Sequence, residues 1–336
     1  MNISLVVCTH NGAARLPETL RHLSQQNLPP EQLCEVLVVD NASTDGTADV
    51  ARGSWPRNSA IPLRIVREET LGLTAARMRG WHESRSDLVA FIDDDNWLPP
   101  EWAAVAIDVM SAHPDAAACG GPADAVFENE PPVWFERFAE NFAVGSQART
   151  GGDVTETRPV LWGAGLTVRK RDLVTLFSSG YRTVGTDRTG VQLASGGDTE
   201  LCLALARMGG RMWYDERLRL RHFMPATRLQ WPYLRRLYRG FGAATVVTDF
   251  YRFETFLRSG RLVNSVRTFW LYRLIRTLAD LMARPGRILQ WARGREGSHD
   301  VLWVDQQLGR VAELARLRGR YAEGFRTLSL IRWSRR

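Results

Sequence analysis

The sequence predicts an α/β protein in which a mostly parallel sheet lies between helices, followed by a basic helical region. Over the first 121 residues, short apolar runs alternate with segments of helical spacing. This alternation is typical of parallel sheets that are covered by helices on both faces. Beyond residue 230 the pattern becomes helical, and residues 258–336 contain 17 basic but only 6 acidic side chains. Residues 1–257, with 27 basic and 31 acidic side chains, are close to neutral.

The elements of the first part follow from length and periodicity. Ile3–Thr9 is short and apolar, as expected of a buried strand, and leucines at helical spacing follow it. Pro100 opens another predicted helix, because proline is favoured in a first helical turn. The predicted strands are 3–9, 36–40, 63–67, 88–93 and 116–121, and the predicted helices are 16–26, a segment ending at 52, 71–81 and 100–113. Further on we expect strands at 160–168, 211–214 and 218–222 and a helix at 199–208.

Composition and cysteine usage limit the class of protein. Hydrophobic residues make up 44% of the chain and charged residues 24%, which is ordinary globular usage and excludes wholesale disorder. The four cysteines form no C-x-x-C pair, so neither a zinc ribbon nor a redox motif is indicated. No uncharged apolar stretch reaches the roughly 18 residues of a spanning helix. We therefore expect a cytoplasmic protein, attached at most to the inner face of a membrane.

Three consecutive carboxylates, Asp93, Asp94 and Asp95, end the fourth predicted strand. Two like charges about 5 Å apart repel by roughly 3 kcal/mol at an effective dielectric near 20, so a cation or full solvation is expected there. Alternate residues of an extended segment face the same side, which lets Asp93 and Asp95 converge. Their oxygens suit Mn²⁺ or Mg²⁺ together with phosphate oxygens. The alternative is a solvated acidic turn that caps the next helix.

Two other predicted strands also end in polar turns, and ligands of parallel sheets bind at the carboxyl ends of strands. Asp40 follows the second strand, where a carboxylate can accept a hydrogen bond from a nucleobase or a ribose. It can equally form an Asx turn or cap a helix. The turn at residues 9–12 (THNG) follows the first strand and could approach a nucleotide with its backbone. Three such turns along one sheet edge indicate a ligand site more strongly than each alone.

Together these segments resemble the family 2 glycosyltransferases with a GT-A fold, and most of all the soluble transferases of bacterial surface-polysaccharide pathways. The resemblance rests on residues 4–12 (SLVVCTHNG), 38–45 (VVDNASTD), 71–80 (LGLTAARMRG) and 91–95 (FIDDD), and it covers about residues 1–240 in order. It implies a donor site that contains Thr9, Asn11 and Arg15 near the nucleotide, Asp40 at the base, Arg77 near the diphosphate or the sugar, Asp93 at the nucleoside, and Asp94. Asp95 would bind the metal that bridges the diphosphate.

A later segment, residues 196–201 (GGDTEL), resembles the part of the family that supplies the general base. Asp198 matches that base, which must reach the acceptor hydroxyl within hydrogen-bond distance. Gly197 stands where the family commonly has an acid. Glu200 is the alternative base and is assigned to the acceptor side. A plain loop with a helix cap is the structural alternative for this segment.

Two further segments extend the resemblance. His222 matches a histidine of the metal–diphosphate site, so the expected ligands of Mn²⁺ or Mg²⁺ are Asp95 and His222. Arg228 could meet the donor phosphates with its planar fork. Trp162 and Gly163 resemble the loop that borders the acceptor pocket, although a core strand with a bulge would give the same pattern.

The resemblance implies an inverting, metal-dependent enzyme that moves one sugar from a nucleoside-diphosphate sugar, with UDP favoured, to a hydroxyl of a glycan or a lipid-linked acceptor. This would serve cell-surface polysaccharide or glycoconjugate synthesis. Residues 228–231 (RLQW) depart from the Gln-x-x-Arg-Trp motif of processive members, so we expect single-sugar addition. The alternatives are a sugar-phosphate nucleotidyltransferase, which would need a glycine-rich first loop, and an inactive relative that serves as a membrane-associated scaffold.

We expect residues 1–230 to form the catalytic domain, with a nucleotide-binding half at 1–121 and an acceptor-binding half at 122–230. Residues 231–336 form the basic helical region. There, one predicted helix has an apolar side (Val263, Trp270, Leu271, Leu274, Leu278, Leu281) opposite a cationic side (Arg261, Arg273, Arg276, Arg284, Arg287). It either attaches to an anionic membrane surface through 258–336 or packs on the body with its arginines solvated. Nucleic acid is not an expected partner, because no binding motif accompanies the charge.

Overall fold

Two sheets organise the chain in the computed structural model, which describes residues 1–185, 196–258 and 269–330. The strands are β1 (Ile3–Thr9), β2 (Cys34–Asn41), β3 (Leu63–Glu68), β4 (Leu88–Asp93), β5 (Asn96–Trp97), β6 (Ala116–Gly120), β7 (Ala123–Phe127), β8 (Gly152–Asp153), β9 (Leu166–Arg169), β10 (Arg211–Tyr214) and β11 (Leu220–Met224). The helices are α1 (Leu16–Ser24), α2 (Thr47–Ser54), α3 (Leu73–Glu83), α4 (Trp102–Ala112), α5 (Lys170–Ser178), α6 (Gly197–Arg207), α7 (Trp231–Arg258), α8 (Trp270–Met282), α9 (Pro285–Arg293), α10 (His299–Leu317) and α11 (Tyr321–Leu330). Glu136–Phe142 and Glu216–Leu218 form 3₁₀ turns.

The larger sheet has the strand order β3-β2-β1-β4-β9-β6-β10-β8. Its first four strands run parallel, β9 is antiparallel to both neighbours, and β10 is parallel to β6. The smaller sheet has the order β5-β11-β7, with β11 antiparallel to β5 and parallel to β7. This topology confirms the predicted α/β class with a mostly parallel sheet.

The sheet is buried on both faces because alternate residues of each inner strand enter different clusters. Val6 of β1 belongs to one core, whereas Leu5 and Val7 belong to the other. The second core also contains Trp102 of α4. Helices on both faces therefore explain why the inner strands are continuous apolar runs instead of alternating ones.

The helices after residue 230 share the core of the sheet. Phe250 of α7, Leu314 of α10 and Tyr321 of α11 lie in the same buried cluster as Val6. The boundary predicted at residue 230 therefore separates two segments of sequence but not two cores. Among the described helices, none has the length and apolar character needed to cross a membrane.

Two sequence predictions about these elements need correction. Residues 160–165 form no strand: β9 begins at Leu166, and the preceding residues form a loop. The expected strand at 218–222 runs from Leu220 to Met224, because a 3₁₀ turn comes before it. Strands β5, β7 and β8 were not predicted; β5 and β8 span two residues each, too few for a periodic pattern.

The cationic helix is rotated relative to the prediction. In α8, Leu271 and Leu278 are exposed, although they were expected on the same side as Leu281, which is buried. Arg273 lies on the inner side instead, because its guanidinium is 3.9 Å from Asp249 and stacks 3.8 Å over the Phe253 ring. Val263 and Arg261, which were predicted on the apolar and cationic sides of this helix, lie outside the described residues.

Helices α7 and α10 cross so closely that glycines are required at the contact. A Cβ at Gly309 would overlap the backbone of Arg239, and one at Gly242 would overlap the backbone of Gln306. In a close-packed interior, such an overlap forces the two helices apart. The crossing therefore fixes where α10 stands relative to the sheet.

We predict that Gly309→Ala lowers the free energy of unfolding by about 1–3 kcal/mol, the usual cost of overpacking, despite the better helix propensity of alanine. Urea unfolding followed by circular dichroism measures it. Gly286→Ala in α9 is the matched control, since its Cβ would meet no atom within 4 Å, and it should be neutral or slightly stabilising. Equal stability of the two variants would contradict a glycine-dependent crossing.

Candidate functional site

A cavity of about 680 Å³ opens at the carboxyl ends of β1 and β4. Most of the predicted site residues line it, although they come from segments far apart in the chain. These are Thr9, Arg15, Arg77, Asp93, Asp94, Asp95, Trp162, Gly163, Asp198, His222 and Arg228. The structure therefore brings the expected donor, metal, base and acceptor groups to one place.

A tight turn after β4 separates the three carboxylates. The Asn96 side-chain oxygen accepts from the Asp93 amide at 3.1 Å, which closes the turn. Asp94 receives two bonds from Arg15, at 3.0 and 2.8 Å, and one from the Thr9 hydroxyl at 2.6 Å. Burial raises the pKa of the Asp94 carboxyl, and the bidentate bond from Arg15 opposes that shift. Asp94 and Arg15 thus join β4 to α1.

Asp95 is almost fully buried, with 1% of its surface exposed. One carboxylate oxygen lies 2.6 Å from the Arg228 guanidinium, and the other lies 3.3 Å from His222 Nε2. Burial alone would raise the pKa of the Asp95 carboxyl, but the charge of Arg228 and the contact with His222 hold that pKa well below its usual range. Asp95 is therefore an ionised carboxylate in a dry setting.

The smaller sheet explains why His222 reaches Asp95. In the β5–β11 pair, His222 stands opposite Asn96, the residue after Asp95. The Phe223 amide donates to the Asp95 carbonyl at 2.8 Å and fixes this register. Arg228 follows β11 in a turn closed by its own amide and the Pro225 carbonyl, at 2.8 Å. Backbone pairing, and not only side-chain attraction, places these groups together.

The Asp95–His222 pair fits a divalent cation. Its 3.3 Å separation is close to the roughly 3 Å expected between neighbouring ligands of an octahedral ion with bonds of about 2.1 Å. An Arg228 nitrogen lies 3.2 Å from His222 Nε2, and in the neutral tautomer with its proton on Nδ1, Nε2 would have a lone pair for an arginine N–H or for a metal ion. No group of three or more metal-ligating side chains occurs in the described ranges. Two protein ligands leave coordination positions for phosphate oxygens and water.

Asp198 lies in the first turn of α6 and faces the cavity. Its carboxylate accepts from the Thr199 amide at 2.8 Å and from the Gly163 amide at 2.9 Å. A Cβ at residue 163 would displace the end of the Arg77 side chain and come within 3.1 Å of the Asp198 carboxylate, so glycine leaves room for both groups. The loop that contains Trp162 is thereby held against the candidate base.

Gly197 stands at the position where the resemblance described above implies an acid. A Cβ at this position would lie 3.7 Å from an Arg77 guanidinium nitrogen. A longer acidic side chain there would therefore stand beside Arg77. In this chain the Arg77 guanidinium lies 5.5 Å from the centre of the Phe91 ring.

The structure does not support Glu200 as a base or an acceptor-side residue. Its side chain is buried and does not line the cavity. It accepts from the Val184 amide at 2.6 Å, the Gly185 amide at 2.9 Å and the Tyr251 hydroxyl at 3.2 Å. Burial raises the pKa of Glu200, against these bonds. Glu200 holds the segment before residue 186 against α7.

Asp40 and Asn11 also lie outside the cavity lining. The Asp40 carboxylate accepts from the Ser43 amide and from Arg67, both at 3.1 Å. Asn11, in a left-handed conformation with φ of 49°, accepts from the Thr44 amide at 2.9 Å. Both side chains build the turn after β2, and their contact with a nucleotide stays a prediction.

Several lining residues were not anticipated from the sequence. Arg158 lies over the Trp162 ring at 5.5 Å and faces the cavity with it. Tyr233 and Phe241 of α7 and Gln306 of α10 complete the wall. No local motif marks these residues, because only the packing of the last helices brings them to the sheet edge.

Buried carboxylates, a histidine and arginines around a cavity at strand ends define a protein of the nucleotide-sugar transferase class. The chain belongs to glycosyl transferase family 2, whose model matches residues 4–177. It is 28% identical over 252 residues to the glucosyl-dolichyl phosphate glucuronosyltransferase of Haloferax volcanii, covering 72% of this chain and 76% of that relative.

Solved structures confirm the GT-A fold. A mannosyltransferase from Pyrobaculum calidifontis, in complex with GDP-Man and Mn²⁺, has a TM-score of 0.54 at 18% identity, covering 95% of this chain and 87% of that one. Residues 1–349 of S. aureus TarS, in complex with UDP-GlcNAc, have a TM-score of 0.52 at 15% identity, covering 96% of this chain and 92% of that one.

We predict that Glu200→Gln lowers the free energy of unfolding by about 1–3 kcal/mol, because an amide group would face buried backbone donors. Asp198→Asn should change it by less than about 1 kcal/mol, since the amide oxygen can still accept one bond from the cavity wall. Thermal and urea unfolding of both variants measure this. Similar losses for the two variants would contradict the distinction between a structural Glu200 and a cavity-facing Asp198.

Proposed function

We propose that this chain is an inverting, metal-dependent glycosyltransferase that moves one sugar from a nucleoside-diphosphate sugar to an acceptor hydroxyl. The supporting observation is that the Asp95–His222 pair and Asp198 line the same cavity, together with several arginines. Solved structures of similar fold contain UDP-GlcNAc or GDP-Man, which supports this donor class. We favour UDP as the nucleotide, and a glycan or lipid-linked acceptor in cell-surface glycoconjugate synthesis.

In this proposal the donor diphosphate lies at the ends of β1 and β4. Asp95 and His222 would hold Mn²⁺ or Mg²⁺, which neutralises charge on the diphosphate leaving group when bound. Arg228 contacts both of these residues and is placed to donate to phosphate oxygens. With only two protein ligands, the site should bind the ion well only when the diphosphate completes its coordination.

At the other side of the cavity, Asp198 removes the proton from the acceptor hydroxyl. The hydroxyl oxygen then forms a bond to the anomeric carbon while the bond from that carbon to the diphosphate breaks. The attack comes from the face opposite the leaving group, so the configuration inverts. The Gly163 amide holds the Asp198 carboxylate in place at 2.9 Å. Trp162 offers a flat surface on which a sugar can stack.

We predict that Asp198→Asn lowers turnover by about 10²–10⁴-fold, the usual contribution of a general base, with unchanged donor affinity. Release of UDP from a UDP-sugar and calorimetric titration of the donor measure the two quantities. Asp95→Ala is the contrasting variant, because it should lose the Mn²⁺-dependent part of donor binding. Full turnover in Asp198→Asn, or a product with retained anomeric configuration, would contradict the mechanism.

We also propose that the outer face of α8 contacts an anionic membrane. Leu271, Ile275, Leu278 and Met282 recur at helical spacing, and each is at least 43% exposed. Arg276 on the same helix is also exposed to solvent. An exposed apolar stripe next to arginines is typical of helices that lie in a membrane interface. Attachment of this kind would bring the cavity to a lipid-linked acceptor.

We predict that Ile275→Gln/Leu278→Gln reduces co-sedimentation with phosphatidylglycerol vesicles by about tenfold, because two apolar side chains no longer insert. The control pair is Val133→Gln/Val174→Gln, which alters exposed apolar residues elsewhere on the surface. Equal binding of both pairs, at the level of the unaltered chain, would rule out this face as the contact.

A further inference from the structure

A second cavity, of about 750 Å³, adjoins the candidate active site between α6, α7, α8 and α10. The two cavities share part of their walls, formed by Val160, Thr199, Thr245, Thr248 and Gln306. Because Thr199 follows Asp198 directly, the cavities meet on the side where the acceptor hydroxyl would lose its proton. An acceptor bound at Asp198 can therefore extend into the second cavity.

This second cavity, which we call the arginine cavity, is cationic. Among the described residues, its lining has a formal net charge of +3 from five arginines and two aspartates: Arg207, Arg252, Arg273, Arg276, Arg310, Asp249 and Asp280. Low-dielectric walls of one charge sign concentrate ions of the opposite sign. The cavity is therefore suited to an anion, and to one with more than a single charge.

Contacts with the body hold part of this charge in position. Arg310 pairs with Asp249 and donates to the Thr245 and Thr277 hydroxyls at 2.7 and 3.3 Å. Arg252 and Arg276 are instead exposed to solvent while they line the cavity. Arginine forks match phosphate oxygens in bidentate geometry, and fixed side chains lose little entropy on binding. The cavity thus combines preorganised and accessible guanidinium groups.

We infer that the arginine cavity binds a phosphate group of the acceptor substrate. This inference rests on the proposed function, because it assigns a further part of the acceptor in the same reaction. A phosphate monoester brings about 1.5 to 2 negative charges near neutral pH, whereas a carboxylate brings one and compensates less of the cavity's charge. The acceptor is therefore a phosphorylated glycan or lipid whose hydroxyl lies at Asp198 and whose phosphate lies among the arginines.

The experiment is a calorimetric titration with farnesyl phosphate in the presence of saturating UDP and Mn²⁺, with farnesol as the uncharged control. Arg252→Gln/Arg276→Gln removes two exposed charges from the cavity. Arg293→Gln/Arg295→Gln removes two exposed charges outside it and is the matched control. Titration of UDP and of GDP in the presence of Mn²⁺, without farnesyl phosphate, is a separate arm: failure of both nucleotides to bind would count against the proposed function, whatever farnesyl phosphate does.

We expect the cavity variant to bind farnesyl phosphate at least about tenfold more weakly, as loss of charge-assisted bonds requires, and the control variant to bind it like the unaltered chain. Equal affinity in all three proteins, or equal weakening in both variants, would overturn the inference. Phosphatidylglycerol vesicles distinguish the source of the phosphate. If the cavity variant kept farnesyl phosphate binding, the assignment to the acceptor would be wrong, and a simultaneous loss of vesicle binding would assign these arginines to bilayer headgroups instead.

Discussion

The ion pairs around the end of β4 connect segments that are remote in the chain. Asp94 pairs with Arg15, the residue just before α1, and Asp95 pairs with Arg228, which follows β11. Each buried carboxylate needs a nearby positive charge, because an isolated ion in such a setting would be strongly destabilising. These ion pairs stabilise the buried carboxylates and also bring the walls of the cavity together. The stability of the fold and the geometry of the site therefore depend on the same contacts.

Local sequence patterns predict the bounds of a strand correctly where the strand is buried on both faces of the sheet. The bounds of Ile3–Thr9 and Leu88–Asp93 agree with the structure, because a strand covered on both faces is a continuous apolar run. The proximity of Asp95 and His222 was expected only through the family resemblance. Its physical cause, the pairing of β5 with β11, has no periodic signal, since β5 spans two residues.

The sequence does not determine in which direction a side chain points. Glu200 and Asp198 share the first turn of one helix, yet Asp198 faces the cavity and Glu200 turns towards two backbone amides. Likewise, helical periodicity assigned Arg273 to the outer side of α8, but Asp249 and the Phe253 ring hold it inside. In both cases the decisive partners come from other helices, so tertiary contacts determine the outcome.

Two parts of the cavity wall come from different segments of the chain. The carboxylates near Thr9 belong to the first hundred residues, whereas Tyr233, Phe241 and Gln306 belong to helices that come after the last strand. Substitutions of Tyr233, Phe241 or Gln306 can therefore change the shape of this wall without altering the carboxylate segment. The shape of the cavity and its charge at the sheet edge are thus set by different parts of the sequence.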